Sequence, residues 1–406
     1  MELTIKGGLV DGKIKDIGIE DGRITQIGGK IGKQGRVIDA QDCAVLHGFE
    51  NAHTHTGMSL LRGYADDMQL GEWLQTKIWP MEAKLKDKDI ELAAELSALE
   101  MIKSGTTKFH DMYFHMDSVL KATQKAGIRG VLAYGMVDLD NAEKREKELK
   151  EEERFVKHVE KIGDEKIKAA VGPHGPHTCS GELLEKTKAL AEKYGLEVHT
   201  HAAETRDEVY GLEKKTGKRP IQLLKEKGLL GPKTILAHCV WVTKEEIRTI
   251  AASGARVAHC PASNMKLASG GIAPVTEMLE AGVKVLLGTD GAASNNSLDL
   301  IAEMKIAALI HKNARWDARL LPARQALDMI TGWTKVEVGA EADLAIVDLK
   351  KPHLAPRHNI ESNIVYSGKG SDVRTVICGG QVLMDRYKAE TLNEEKIIEK
   401  ANDWAA

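Results

Sequence analysis

The sequence predicts a (β/α)8 TIM barrel, an α/β fold, carrying a small β-sandwich domain built from both ends of the chain. Three observations predict it. Eight apolar, strand-like runs follow one another between residues 44 and 291. Amphipathic helical stretches closed by glycine alternate with them, which is the language of βα units. Short strands punctuated by Gly and Asp occur before this region and return after it, so the terminal segments are expected to meet in one discontinuous domain.

The first segment reads as "ELTIKGG", "KIKDIGIEDGRITQIGG" and "GRVIDA", antiparallel β in pattern. Barrel strands are expected in "AVLHGFENAHTH", "TKFHDMY", "RGVLAYG", "IKAAVGPHG", "EVHTHAA", "TILAHCV", "ARVAHCP" and "KVLLGTDG". Helices such as "DIELAAELSALEMIKSG" and "SGELLEKTKALAEKYG" end on a Gly suited to a C-cap. The charge-dense "NAEKREKELKEEERFVKHVEK" reads as a solvated helix face. "ADLAIVDL" and "VRTVICGGQVLMD" resume the β pattern. The expected division is 1–46 with 340–388 for the β-sandwich, 47–339 for the barrel and 389–406 for a C-terminal helix.

With 406 residues, 42% of them apolar and 29% charged, the chain can bury a large core. Lys+Arg 57 against Asp+Glu 60 leaves a net charge of -3, so no basic field points to nucleic acid or an anionic membrane. The five cysteines, Cys43, Cys179, Cys239, Cys260 and Cys378, form no CxxC pair, which argues against a disulfide framework and a thiolate zinc cluster. No run approaches the roughly 20 apolar residues that span a bilayer, and "MELTIKGGLVDG" does not read as a signal peptide. A cytoplasmic setting is expected.

Polar residues gather at the C-terminal tips of the expected strands: His53 and His55 on the first, His174 on the fourth, His201 and Glu204 on the fifth, His238 on the sixth, Asp290 on the eighth. In a (β/α)8 barrel that rim is where active sites are built. His53 and His55, two apart in a strand, should face one site. With a third imidazole from "VHTHAAE" and the carboxylate of "GTDGAAS", they make an N/O donor set suited to Zn²⁺ with a coordination position left open. Glu204, three residues past His201, can act there without being a ligand. Taken singly, His201 or His238 reads as a core histidine and Asp290 as a helix cap; their coincidence at one rim favours the metal. His110, His115, His177, His199 and His259 are assigned no chemistry.

At these residues the chain resembles the amidohydrolase superfamily, and within it the methylthioadenosine/S-adenosylhomocysteine deaminase group with its 5'-deoxyadenosine deaminases. The resemblance is carried by "NAHTHTGMSLLRGYADDMQLGEWLQTKIWPMEAKL", "SGTTKFHDMY", "GPHGPHTCS", "HTHAAET", "AHCV", "HCPASNMKLASGGIAPV" and "GTDGAASNNSLDL", and runs through essentially the whole chain. It implies one zinc per subunit held by His53, His55, His201 and Asp290, with Glu204 as proton shuttle, His238 beside the attacking hydroxide and Asp290 also moving a proton. It implies that Glu82 binds the ribose, that His174 contacts the nucleoside, and that Trp73 and Ser294 belong to the substrate pocket.

A bridging carboxylated lysine is not expected, since Lys166 and Lys168 fall at the far end of the fourth strand. Tyr134 stands where relatives that take S-adenosylhomocysteine can carry an arginine, leaving Arg145 as a loop-borne substitute. "DMITGWTKVEVGAEADL" is shorter than the family's usual crossing from barrel to β domain. The expected activity is hydrolytic deamination of a 5'-modified adenosine. The alternatives are guanine or cytosine deamination, s-triazine hydrolysis, or a non-catalytic metal scaffold. The expected partners are a small-molecule nucleoside and further copies of the chain, not nucleic acid or a membrane.

Overall fold

The computed structural model describes residues 2–32 and 35–405. Alternating apolar residues form β1 (Leu3–Val10), β2 (Lys13–Glu20), β3 (Arg23–Gly28), β4 (Arg36–Asp39) and β5 (Cys43–His47). The eight expected barrel strands follow as β6 (Phe49–Thr54), β7 (Thr106–Tyr113), β8 (Arg129–Met136), β9 (Ile167–Pro173), β10 (Glu197–Ala202), β11 (Thr234–His238), β12 (Arg256–His259) and β13 (Val285–Leu287). The chain closes with β14 (Leu344–Asp348), β15 (Val373–Cys378), β16 (Gln381–Asp385), β17 (Lys388–Ala389) and a helix over Glu394–Ala405.

The run 44–55, read from the sequence as one strand, is two strands in two sheets. Gly48 lies between them, and a Cβ there would stand 2.2 Å from Thr107 Oγ1. Only glycine lets the chain leave the small sheet and enter the barrel at this point.

The terminal strands form one mixed sheet in the order β17-β16-β15-β14-β5-β1-β2-β3, with β4 also paired to β1. The two chain ends meet where β14 runs antiparallel to β5, Ile346 opposite Val45. Period-2 alternation then divides the side chains between two cores. Leu344, Ile346 and Ile377 join Ile5, Ile17 and Val45 in a small core, while Ala345, Val347, Val376 and Cys378 pack into the barrel's large one. These strands are therefore buried on both faces, which explains their nearly continuous apolar sequence.

The barrel sheet runs β6 through β13 in chain order, every pairing parallel. It closes between β6 and the end of β13. Asn51 Nδ2 donates to Thr289 Oγ1 at 2.7 Å, Thr289 N to Asn51 Oδ1 at 3.1 Å, and Asp290 N to His53 O at 2.9 Å. Gly288 makes that approach possible, since a Cβ would lie 2.9 Å from His53 Cβ, N and O. Overpacking of this kind costs about 1–3 kcal/mol.

Helices start and stop where local chemistry says they should. Ser180 caps Gly181–Tyr194 by accepting from Leu183 N, and Gly195 ends it with φ 66°. The charged stretch forms the helix Ala142–Ile162, capped by Asn141, whose inner face buries Phe155, Val156 and Val159. The short crossing back to the β domain carries no helix between Ile330 and β14. Instead Trp333 Nε1 donates to Val285 O at 2.8 Å, and Gly339 N pairs with Ile24 O at 2.8 Å. All five cysteines are buried and free. Among the described residues, no helix is long and apolar enough to cross a membrane.

Candidate active site

The C-terminal ends of the parallel strands bring His53, His55, His174, His201, His238 and Asp290 to one mouth. His53 and His201 lie within β6 and β10, His238 ends β11, and His55 and Asp290 follow β6 and β13. His238 has φ 73° and Asp290 φ 60°, left-handed backbone that costs a non-glycine residue about 1–3 kcal/mol. Both turns fall where a strand gives out at the mouth.

Three imidazoles present a bare nitrogen to each other. His55 Nδ1 donates to Met112 O and His201 Nδ1 to His174 O, each at 2.6 Å, so both Nε2 atoms keep a lone pair. His53 Nδ1 lies 2.8 Å from His199 Nε2, and its buried Nε2 has no hydrogen-bond partner. Burial drives His53 down to about 3 and His201 well below the usual range, so both are neutral at neutral pH. His55 Nε2 stands 3.3 Å from Asp290 Oδ1, His53 Nε2 3.6 Å from the same atom, and His201 Nε2 3.3 Å from His55 Nε2. Four donors bonded at 2.0–2.1 Å to a tetrahedral ion would lie about 3.3 Å apart. The donors of His53, His55 and Asp290, and those of His53, His201 and His238, each lie within 4.8 Å of one another, and their N/O chemistry suits zinc.

His199, given no role from the sequence, supports His53 from one layer down. Strand alternation does aim it with His201, but its neighbour on the mouth side is an imidazole rather than open space. Below it His110 Nε2 meets Glu50 Oε1 at 2.8 Å, and Lys108 Nζ reaches the same oxygen at 2.9 Å. His259 pairs with His311, and His115 with Asp87 on the surface.

Asp290 is fully engaged. Gly291 N donates to its Oδ1 at 2.7 Å and Ser263 Oγ to its Oδ2 at 2.5 Å. Burial alone would push this carboxyl up, but the neighbouring His53, His55 and His238 rings outweigh it and hold it well below the usual range. Glu204 goes the other way. Burial pushes its carboxyl up; His238 opposes this, and Asp290 and Glu208 add to it. His238 Nε2 lies 3.7 Å from Glu204 Oε2.

Glu208 and Asn264 hold these groups, and neither was picked from the sequence. Glu208 accepts from Ala203 N at 2.8 Å and Glu204 N at 2.7 Å, and its own N donates to Thr205 Oγ1 at 3.2 Å. The signal was present in "TRDE", a Ser/Thr-x-x-Glu capping pattern at the start of a helix.

The cluster forms the floor of a cavity whose walls include Trp73, Leu74, Trp79, Glu82, Tyr113, Phe114, His174, His177, Glu204 and Ser294. Glu82 Oε1 accepts from Tyr113 OH at 2.5 Å, and burial raises its carboxyl despite that bond. Trp73 is buried, its Nε1 tied to Ala65 O at 2.9 Å. Ser294 lines the cavity, but its hydroxyl lies 3.0 Å from Asp290 Oδ2, so it supports that carboxylate. His174 Nδ1 bonds Thr178 Oγ1 at 2.9 Å, and burial holds the ring down at about 3.

Arg145 is not at this cavity. It lies in the first turns of the helix Ala142–Ile162, not on a loop, and its guanidinium is buried against Asp138 Oδ2 (2.9 Å) and Glu182 Oε2 (2.5 Å). A buried cation already paired twice cannot turn to a ligand without abandoning both carboxylates.

Comparison with known proteins agrees with this architecture. Residues 44–383 match the amidohydrolase family. The chain is 47% identical to the 5'-deoxyadenosine deaminase of Methanosarcina acetivorans over a 413-residue alignment covering 99% of this chain and 95% of that one. It is 45% identical over 395 residues to the 5-methylthioadenosine/S-adenosylhomocysteine deaminase of Pyrococcus furiosus, covering 95% and 94%. The crystal structure of an adenosine deaminase from Xanthomonas campestris with bound zinc superposes with a TM-score of 0.92 at 29% identity, covering 100% of this chain and 98% of that one.

Proposed function

The chain belongs to the amidohydrolase family, and within it we propose a zinc-dependent deaminase of 5'-modified adenosines. Its substrates would be 5'-deoxyadenosine, 5'-methylthioadenosine and S-adenosylhomocysteine, with adenosine as a further candidate. The observation that carries this reading is a single cavity walled by the His/Asp cluster, Glu204 and Glu82. The relatives' names supply the substrate class.

In the reaction, water adds at C6 of the purine, the C6–N bond breaks and ammonia leaves, giving the inosine analogue. A zinc ion held by His53, His55, His201 and Asp290 would supply Lewis acidity and bring the pKa of water to about 7. Glu204, with its raised carboxyl, delivers a proton to N1 and makes C6 electrophilic. Asp290 takes the proton of the attacking water and passes it to the departing amine. His238 hydrogen-bonds the developing tetrahedral centre. Glu82 receives the ribose hydroxyls on the oxygen that Tyr113 leaves open, and His174 and Trp73 bound the nucleoside.

Specificity turns on the 5' end. Beyond Glu82 and Tyr113 the cavity adjoins a second one lined by Trp79, Phe114 and Tyr134 and by Asp87, Glu91, Asp117 and Glu151. Among its described lining residues the one lysine or arginine is Lys121, already paired with Glu91 at 2.8 Å. Arg154, behind this wall, is likewise spent on Asp117 at 2.6 Å and Glu151 at 2.7 Å, so a 5' carboxylate finds no free cation here and small uncharged 5' groups suit this pocket. A cytoplasmic setting and a homo-oligomeric assembly complete the proposal, the first supported by five free, buried cysteines.

The test is a panel of 5'-deoxyadenosine, 5'-methylthioadenosine, S-adenosylhomocysteine, adenosine, guanine and cytosine compared by kcat/KM. Nucleosides should be deaminated and free bases not; turnover of a free base alone would refute the reading.

A further inference from the structure

Asn264 does not line the cavity, yet it touches two residues that do. It is 4% exposed, on the short helix Pro261–Lys266. Its backbone is seated on both sides: N donates to Cys260 O at 3.1 Å, and O accepts from Ser269 N at 2.9 Å. Trp241 Nε1 fixes Ser269 in turn by donating to its carbonyl at 2.8 Å. From this seat Nδ2 lies 3.1 Å from His238 Nδ1 and 3.3 Å from Glu204 Oε1.

An amide nitrogen donates and cannot accept, and its two hydrogens suit these two acceptors, the nearer ones, with the Ser269 hydroxyl farther off at 3.5 Å. Meanwhile Asn264 Oδ1 is buried with no hydrogen-bond partner. An unpaired buried acceptor is costly, so the nitrogen's contacts decide how the amide sits. Turned over, it would set a carbonyl oxygen against the Glu204 carboxylate.

We propose that Asn264 is a positioning residue whose single amide group sets the hydrogen arrangement of both Glu204 and His238. Because Nδ1 of His238 accepts, the ring carries its proton on Nε2, the nitrogen that lies 3.7 Å from Glu204 Oε2. Because Oε1 of Glu204 is held, Oε2 is the oxygen left to exchange a proton. Two side chains that meet the substrate are thereby kept in complementary states by one that does not. The inference rests on reading Glu204 as the proton shuttle.

Asn264→Asp and Asn264→Ala test it, with zinc content measured alongside kcat and KM. Aspartate keeps the size of asparagine but replaces its donors with acceptors. At wild-type zinc content, Asn264→Asp should lower kcat by at least about 10²-fold, more than Asn264→Ala, with KM changed far less. A packing role predicts the reverse order, so an aspartate variant as active as the alanine variant, or more so, overturns the proposal. If alanine does not fold, the isosteric aspartate still decides, since near-wild-type kcat in it is equally fatal.

Nitrogen spectra of ¹⁵N-histidine-labelled protein, with His238 assigned through His238→Gln, give a readout independent of turnover. His238 should be the Nε2–H tautomer in the wild type and should gain a proton on Nδ1 in Asn264→Asp. An Nδ1–H ring in the wild type overturns the proposal whatever the enzyme's activity. The expected tautomer in a protein that deaminates no nucleoside would support the amide's hold on His238 and sink the deaminase reading.

Discussion

Glu204 and Asp290 share one cavity and are pushed in opposite directions. Burial acts on both, but Asp290 has nearby imidazoles and hydrogen bonds from Gly291 N and the Ser263 and Ser294 hydroxyls to hold it ionised, whereas Glu204 has one amide and a distant ring. Such a split marks one group as anion and the other as acid. Glu204→Gln should therefore keep its zinc while kcat falls about 10²- to 10⁴-fold; loss of metal in that variant would contradict a shuttle that is not a ligand. In the proposed reading Glu82 answers for the sugar. Removing the 2' hydroxyl should cost wild-type kcat/KM the equivalent of roughly 1–3 kcal/mol, the penalty of an unpaired buried polar group. Glu82→Ala should abolish that preference, and an unchanged ratio of ribo- to 2'-deoxyribonucleoside would remove Glu82 from the sugar.

The helices after the strands hold the site as firmly as the strands do. Thr205 and Glu208 open the helix Arg206–Thr216 and fix the backbone of Glu204. The helix Leu300–Arg315 carries Glu303 beneath Asp290's loop, where it accepts from Asn295 Nδ2 at 2.6 Å and Ala262 N at 3.2 Å. Burial lifts its pKa from 4.5 to about 8. Between those values the unfolded chain releases a proton that the folded one keeps, so this group lowers stability as pH rises and does so fully above about 8. The stability of Glu303→Gln relative to wild type should accordingly improve from pH 4.5 to 8 and then level off; a difference flat across that window would contradict it.

The strands were legible because period-2 alternation and glycine punctuation are local. The split of 44–55 at Gly48 was not, because only the approach of Thr107 shows that the chain changes sheets there. The helical seat of Arg145, the support His199 gives His53 and the reach of Asn264 to Glu204 are likewise contacts between segments far apart in sequence.

At the scale of the molecule, the terminal strands pack into the barrel's core and not into the cavity, so the proposed reading assigns specificity to the loops around Glu82 and the adjoining cavity. 5'-Deoxyadenosine or 5'-methylthioadenosine should match or exceed S-adenosylhomocysteine in kcat/KM. Arg145→Ala should lower the melting temperature by breaking a buried network while leaving that ratio unchanged, and a shifted ratio would return Arg145 to the substrate. The account as a whole stands on the convergence of His53, His55, His201 and Asp290. Zinc content and ammonia release from 5'-deoxyadenosine, measured together on wild type, His55→Ala and Asp290→Ala, test it most directly. Wild type should hold one zinc per chain and release ammonia, and both variants should lose metal and activity together; full metal occupancy with normal turnover in either variant would contradict it.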